Sequence, residues 1–169
     1  MTTITDIKPI DFDDDAAISK EINDFAEKYA YADVEHALEI SPNGNMYSLT
    51  GTKYDVNSEI IGRDALKGSK SVHNHPVEPG KDKADSFSIK DLKFAAENNL
   101  GKQYIVSGKR RDAFEFSEYY SNSEIETAWH NAYMKVLEKH LENDTQVVFE
   151  QEEILREFKL KGFKYYENL

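Results

Sequence analysis

Two histidines separated by one residue and closed by a proline constrain this chain more than any other stretch: Val72-His73-Asn74-His75-Pro76. Residues i and i+2 share a side on an extended strand. Lys70 to His75 is therefore expected as a strand, and Pro76, lacking an N–H, ends its pairing. Asp91 follows further along, and Ser88 precedes it by three. Leu92, Phe94, Ala95 and Ala96 then fall at helical spacings to about Asn98. Ser88 is the expected N-cap, its hydroxyl accepting from the backbone of Asp91 at N3. Between strand and helix lies a polar loop, Val77 to Ser86, containing Pro79 and Gly80. A fold that brings the strand end beside the helix start aims His73, His75 and Asp91 at one point. Two imidazoles and one carboxylate, with a fourth position open, suit a catalytic zinc ion.

The rest of the chain can be read by what it supplies to that point. Ile18, Ile22, Phe25, Ala26 and Tyr29 recur at three- and four-residue steps, so Ala16 to Tyr31 is expected as an amphipathic helix. Residues 1–14 before it, ending in a run of acids, read as a flexible lead-in to the helix N-terminus. Val34 to Ile40 alternates, with Val34, His36, Leu38 and Ile40 on one face and Glu35, Ala37 and Glu39 on the other. Pro42-Asn43-Gly44-Asn45 is a turn, and Met46 to Thr50 completes a hairpin. Ile60 to Leu66 reads as a short helix closed by Gly68. Gln103 to Ser107 and Ala113 to Phe116 read as strands around a turn at Gly108 to Asp112. A long helix is expected from Ser123 to about Leu141, a last one over Gln151 to Lys161, and a closing strand over Phe163 to Tyr166. The sum is an α+β pattern in a single domain, with a core over about 16–120 and a helical extension over 121–169.

Composition narrows the function. With 32 acidic against 21 basic residues the net charge is −11, which disfavours nucleic acid and anionic membranes as partners. The absence of cysteine removes disulfides, thiolate zinc sites and a Cys nucleophile. No signal pattern and no apolar run of the length a membrane helix needs is present, so a cytoplasmic protein of a bacterial or host cell is expected. His36, His130 and His140 read as surface or core-edge residues, and Lys109-Arg110-Arg111 as a solvated turn. His-Asn-His is not an HNH nuclease signature, which spreads its residues over a ββα unit.

Hydrolysis at a zinc site also needs a group to take and return a proton. The nearest strand carboxylates are Glu35 and Glu39. Here the sequence resembles the JAMM (JAB1/MPN/Mov34) metalloprotease superfamily, whose pattern is an upstream Glu on a strand, then His-x-His-Pro, then Ser-x-x-Asp. His73-Asn74-His75-Pro76 and Ser88-Ile89-Lys90-Asp91 match in order. More narrowly, residues 33–116 look like JAMM-like domains of phage and mobile-element proteins. The resemblance implies a JAB/MPN-like (cytidine-deaminase-like) sheet flanked by helices. It also implies Zn2+ held by His73, His75 and Asp91, with Ser88 as the oxyanion-side hydroxyl. Glu35 becomes the first choice for the acid/base, with Glu39 second. The implied activity is hydrolysis of a peptide or isopeptide bond. The substrate would be a protein or peptide, such as a ubiquitin-like tail or a phage or defence protein. The chain departs from the family in the eleven residues between Pro76 and Ser88, a longer gap than usual, which bears on specificity. The alternative reading is a non-catalytic, metal-stabilised interaction module of phage, anti-defence or toxin-associated origin.

Overall fold

The computed structural model describes residues 1–143 and 150–169. Its centre is a seven-stranded mixed sheet in the order β1-β3-β2-β4-β5-β6-β7. The strands are β1 (Thr3–Pro9), β2 (His36–Ile40), β3 (Asn45–Thr50), β4 (Lys70–Asn74), β5 (Gln103–Ser107), β6 (Arg110–Phe116) and β7 (Phe163–Tyr166). The pair β4 and β5 is parallel; the other neighbours are antiparallel. Among the described residues five α-helices accompany the sheet: α1 (Asp15–Tyr29), α2 (Arg63–Leu66), α3 (Ile89–Glu97), α4 (Asn122–Glu142) and α5 (Gln151–Glu157). The chain is thus α+β, and none of its described helices is long and apolar enough to cross a membrane.

The alternation along the central strands builds two cores, one on each face of the sheet. Leu38, Ile40, Val72 and Val106 turn toward α1 and meet Ile18, Phe25 and Ala26. Ile105 and Phe114 turn the other way and meet Phe87, Leu92, Ile125, Ile154 and Leu155. The C-terminal segment read as an extension belongs to this second core, since α4 and α5 roof it and β7 adds a strand to the same sheet.

Several boundaries differ from the sequence reading. Residues 1–14 are not a flexible lead-in throughout: Thr3–Pro9 forms β1, paired with β3 from Thr3↔Thr50 to Pro9↔Asn45. All seven residues of β1 are exposed, so it shows no buried face for alternation to betray. The helix expected over Ile60 to Leu66 splits into a 3-10 turn over Ser58–Ile61 and α2, because Gly62 adopts φ +91° between them. The long helix is capped by Ser121, two residues earlier than Ser123.

Lys109-Arg110-Arg111 is not a solvated turn. Arg110 is 5% exposed and pairs with Asp112 at 2.7 Å and Glu152 at 2.6 Å, both buried. Its Nε also donates to the carbonyl of Ala84 at 2.8 Å, tying α5 and β6 to the long polar loop. That loop is held close: Lys109 N–H donates to the carbonyl of Asp82, and a Cβ on Gly108 would lie 1.9 Å from the same oxygen. Gly108 is therefore required there both by its φ of +54° and by this approach.

Candidate metal centre

The strand β4 sets the histidines. It pairs Ala37↔His73 on one side and His73↔Ile105 on the other, which puts His73 on the sheet face covered by α3. His75 lies just past the end of β4, yet its backbone stays fixed. Its N–H donates to the carbonyl of Val106 at 3.0 Å, and its own carbonyl accepts from the Ser107 hydroxyl at 2.7 Å. His75 Nδ1 lies 3.0 Å from the carbonyl of Asp85. A carbonyl can only accept, so Nδ1 carries a proton, which in the neutral ring leaves Nε2 as the nitrogen with the lone pair. That lone pair faces His73 Nε2 at 3.2 Å. Burial, aided by the neighbouring His75, pushes the pKa of His73 down to about 4 against the opposing pull of Asp91. At neutral pH His73 is an uncharged imidazole, the form that ligates.

Asp91 is delivered by the start of α3. Ser88 and Asp91 form a capping box: Ser88 N–H and Oγ donate to Asp91 Oδ2 at 2.7 and 2.9 Å, and Asp91 N–H donates back to Ser88 Oγ at 3.3 Å. With Oδ2 engaged, Oδ1 is left facing His73 Nε2 at 3.6 Å. Ser88 has one hydroxyl proton, and it is committed to Asp91. In this arrangement Ser88 positions Asp91. The donor atoms of His73, His75 and Asp91 all lie within 4.8 Å of one another, a group that could hold a metal ion.

Glu35 and Glu39 reach the same sheet face as His73 but differ in surroundings. Burial first, then the charges of Asp91 and Asp55, push the carboxyl of Glu35 up to about 7, while a hydrogen bond from the Val56 backbone pulls it down. Its place is set by Asn74, the residue between the two histidines. Asn74 is fully buried, and its side chain accepts from His36 N–H at 2.6 Å and donates to the carbonyl of Val34 at 3.0 Å. One amide thus clamps the peptide groups on both sides of Glu35. Glu39 is buried, and its carboxyl accepts from Ser58 Oγ at 2.6 Å and Ser69 Oγ at 3.2 Å. Burial raises it to about 7 as well, against these two hydroxyls.

All five predicted residues, His73, His75, Asp91, Ser88 and Glu35, line one cleft of about 620 Å³, and Glu39 lines it too. Tyr54, Asp55 and Val56 border it from the segment after β3, while Lys90 and Lys93 border it from α3. Gly51 permits the first of these walls, since a Cβ there would stand 2.1 Å from the carbonyl of Asp55. The long loop, Val77 to Ser86, contributes nothing to the lining and only Phe87 after it does, so the loop buttresses the centre through Asp85 without filling it. Asn74 is the functional residue that motif reasoning passes over. Asn74 ends β4, paired with Val106 on β5, and its side-chain partners come from the segment entering β2, so no spacing along the chain announces it. No protein-family model, curated protein or solved structure matches this chain.

Proposed function

We propose that this protein is a zinc-dependent hydrolase of the JAMM type, cleaving a peptide or isopeptide bond in a protein or peptide substrate. The observation that carries the reading is the shared cleft: a three-donor group and a carboxyl with a pKa near 7 open onto the same space. The donor spacing is compatible with a small divalent ion such as zinc. Bonds of 2.0–2.1 Å at tetrahedral angles set ligand atoms about 3.3–3.4 Å apart. The separations of 3.2 Å between the imidazole nitrogens and 3.6 Å from His73 to Asp91 lie on either side of that value, and all three donors lie within 4.8 Å of one another. The delivery of ligands by a strand, a loop and a Ser-capped helix supports the JAMM resemblance and a JAB/MPN-like sheet.

His73, His75 and Asp91 would hold the ion. Zinc bound there supplies Lewis acidity and lowers the pKa of water toward neutrality. Glu35 takes the proton of the attacking water and returns it to the leaving amine, a task suited to a carboxyl tuned near working pH. Asn74 holds the backbone that carries Glu35, and Ser88 holds Asp91. The interaction-module alternative calls for a closed centre, and the long loop leaves this one open.

The test is metal analysis of the wild type and His75→Ala, paired with activity of Glu35→Gln on a panel of tagged peptides and isopeptide conjugates. One zinc per chain is expected in the wild type and a loss in His75→Ala. Glu35→Gln keeps zinc and loses about 10²–10⁴-fold in rate. Absence of zinc at neutral pH, or undiminished activity of Glu35→Gln, would overturn the reading.

A further inference from the structure

The cleft does not end at the metal centre. Glu39 pairs in register with Ser71, which stands two residues before His73 on β4. A second polar row therefore crosses the sheet one side-chain step, about 6.7 Å, from the histidine row. Glu39, Ser58, Ser71 and Gln103 all line the same cleft there, and each is buried. Ser71 Oγ donates to Gln103 Oε1, and Gln103 Nε2 donates to the carbonyls of Gly101 at 3.1 Å and Ser69 at 3.4 Å. Their donors are spent. Glu39 receives one hydroxyl on each oxygen, Ser58 on Oε1 and Ser69 on Oε2. A carboxylate has about four acceptor positions, so acceptor capacity remains at this end of the cleft.

Among the described residues Glu39 forms no ion pair. A carboxylate that is 2% exposed and lacks a cation is costly to keep ionised, and two serines lower that cost without neutralising it. The contrast lies in the same protein, where the buried Asp112 and Glu152 are both met by Arg110. What Glu39 lacks is a compact cation entering from the cleft. A second metal ion is poorly served by one carboxylate and hydroxyls that are already donating. A primary ammonium suits the site, since it brings charge and three donors.

We propose that the Glu39 end of the cleft is a subsite for a primary ammonium group of the substrate, one strand step from the bond that is cleaved. The proposal rests on this cleft being the substrate cleft. The ammonium can belong to a lysine side chain on a residue flanking that bond, or to a chain's amino terminus at a similar reach.

The full chain, as purified, is titrated at pH 8 with three probes while backbone amide chemical shifts are followed. The probes are N-acetyl-lysine N-methylamide, N-acetyl-norleucine N-methylamide and glycylglycine N-methylamide. A charge-assisted contact at Glu39 makes an ammonium probe bind roughly tenfold more tightly than norleucine. The lysine probe binding best identifies a side chain as the source; glycylglycine binding best identifies a chain terminus. Glu39→Gln keeps the shape and one serine bond as it stands, the other hydroxyl turning to accept from the amide, and it brings the preferred probe down to the norleucine affinity. Equal binding of all three probes to the wild type, or a preference that persists in Glu39→Gln, would overturn the subsite. The wild-type comparison needs no variant to fold. Binding is read without turnover, so a chain that prefers ammonium but hydrolyses nothing loses the hydrolase reading and keeps the subsite. A chain that hydrolyses without preference does the reverse.

Discussion

Ser88 and Ser121 offer a matched pair of perturbations. Each opens a helix with a capping box, and the geometries are nearly the same. Ser88 N–H and Oγ lie 2.7 and 2.9 Å from Asp91 Oδ2, with the return bond at 3.3 Å. Ser121 N–H and Oγ lie 2.8 and 3.0 Å from Glu124 Oε2, with the return bond at 3.2 Å. Replacing either serine by alanine removes a cap worth about 1 kcal/mol, which for a chain of this size lowers Tm by about 2–4 °C. Only Ser88 also holds a candidate metal ligand, Asp91. In Ser88→Ala the residue-88 N–H still reaches Asp91 Oδ2, so the carboxylate is loosened rather than released. Loss of such an outer-shell partner weakens metal binding by about 10–100-fold. Zinc affinity is measured at pH 7 by competition with a chromophoric chelator, and stability by thermal unfolding of the metal-free chains. The expected result is a similar fall in Tm for both variants and weakened zinc for Ser88→Ala alone. If Ser88→Ala binds zinc within twofold of the wild type, Ser88 is a helix cap and nothing more. If Ser121→Ala weakens zinc equally, the effect is global and the positioning argument fails.

Asn74→Ala strips partners from two backbone groups, His36 N–H and Val34 C=O, at a cost of roughly 1–3 kcal/mol for each group left unsatisfied. Hydrolysis is expected to fall while zinc stoichiometry holds; a variant with intact activity would show that Asn74 does not position Glu35. Glu39 gives a pH signature in the metal-free chain. Its folded-state pKa of about 7 lies above the ordinary 4.5, so its contribution is fully present below pH 4.5 and is lost as pH rises through 7. A shift of that size is worth roughly 3 kcal/mol. Urea unfolding at pH 4.5 and pH 8 should therefore show a smaller loss of stability in Glu39→Gln than in the wild type, and equal losses would refute the burial argument.

Much of the candidate site is legible in the sequence because its parts are local. His73 and His75 share a side as soon as β4 is extended, and the Ser88 to Asp91 cap is complete within one helical turn. The hairpin of β2 and β3 announces itself through alternation and a turn. What the sequence leaves open is which polar groups lose water. Glu35 and Glu39 are equivalent by alternation. Only the tertiary structure brings Ser58 and Ser69 onto Glu39, and only it sets Glu35 beside Asp91. Arg110 reads as a solvated turn until α5 supplies Glu152, 42 residues away. β1 is invisible because both its faces are exposed and its partner lies beyond α1 and β2. Spacing and capping are fixed by neighbours along the chain. Desolvation is fixed by whichever distant segments close over a residue, so the candidate ligands could be named from sequence, while the role of Asn74, the surroundings of Glu39 and the cleft they shape had to await the fold.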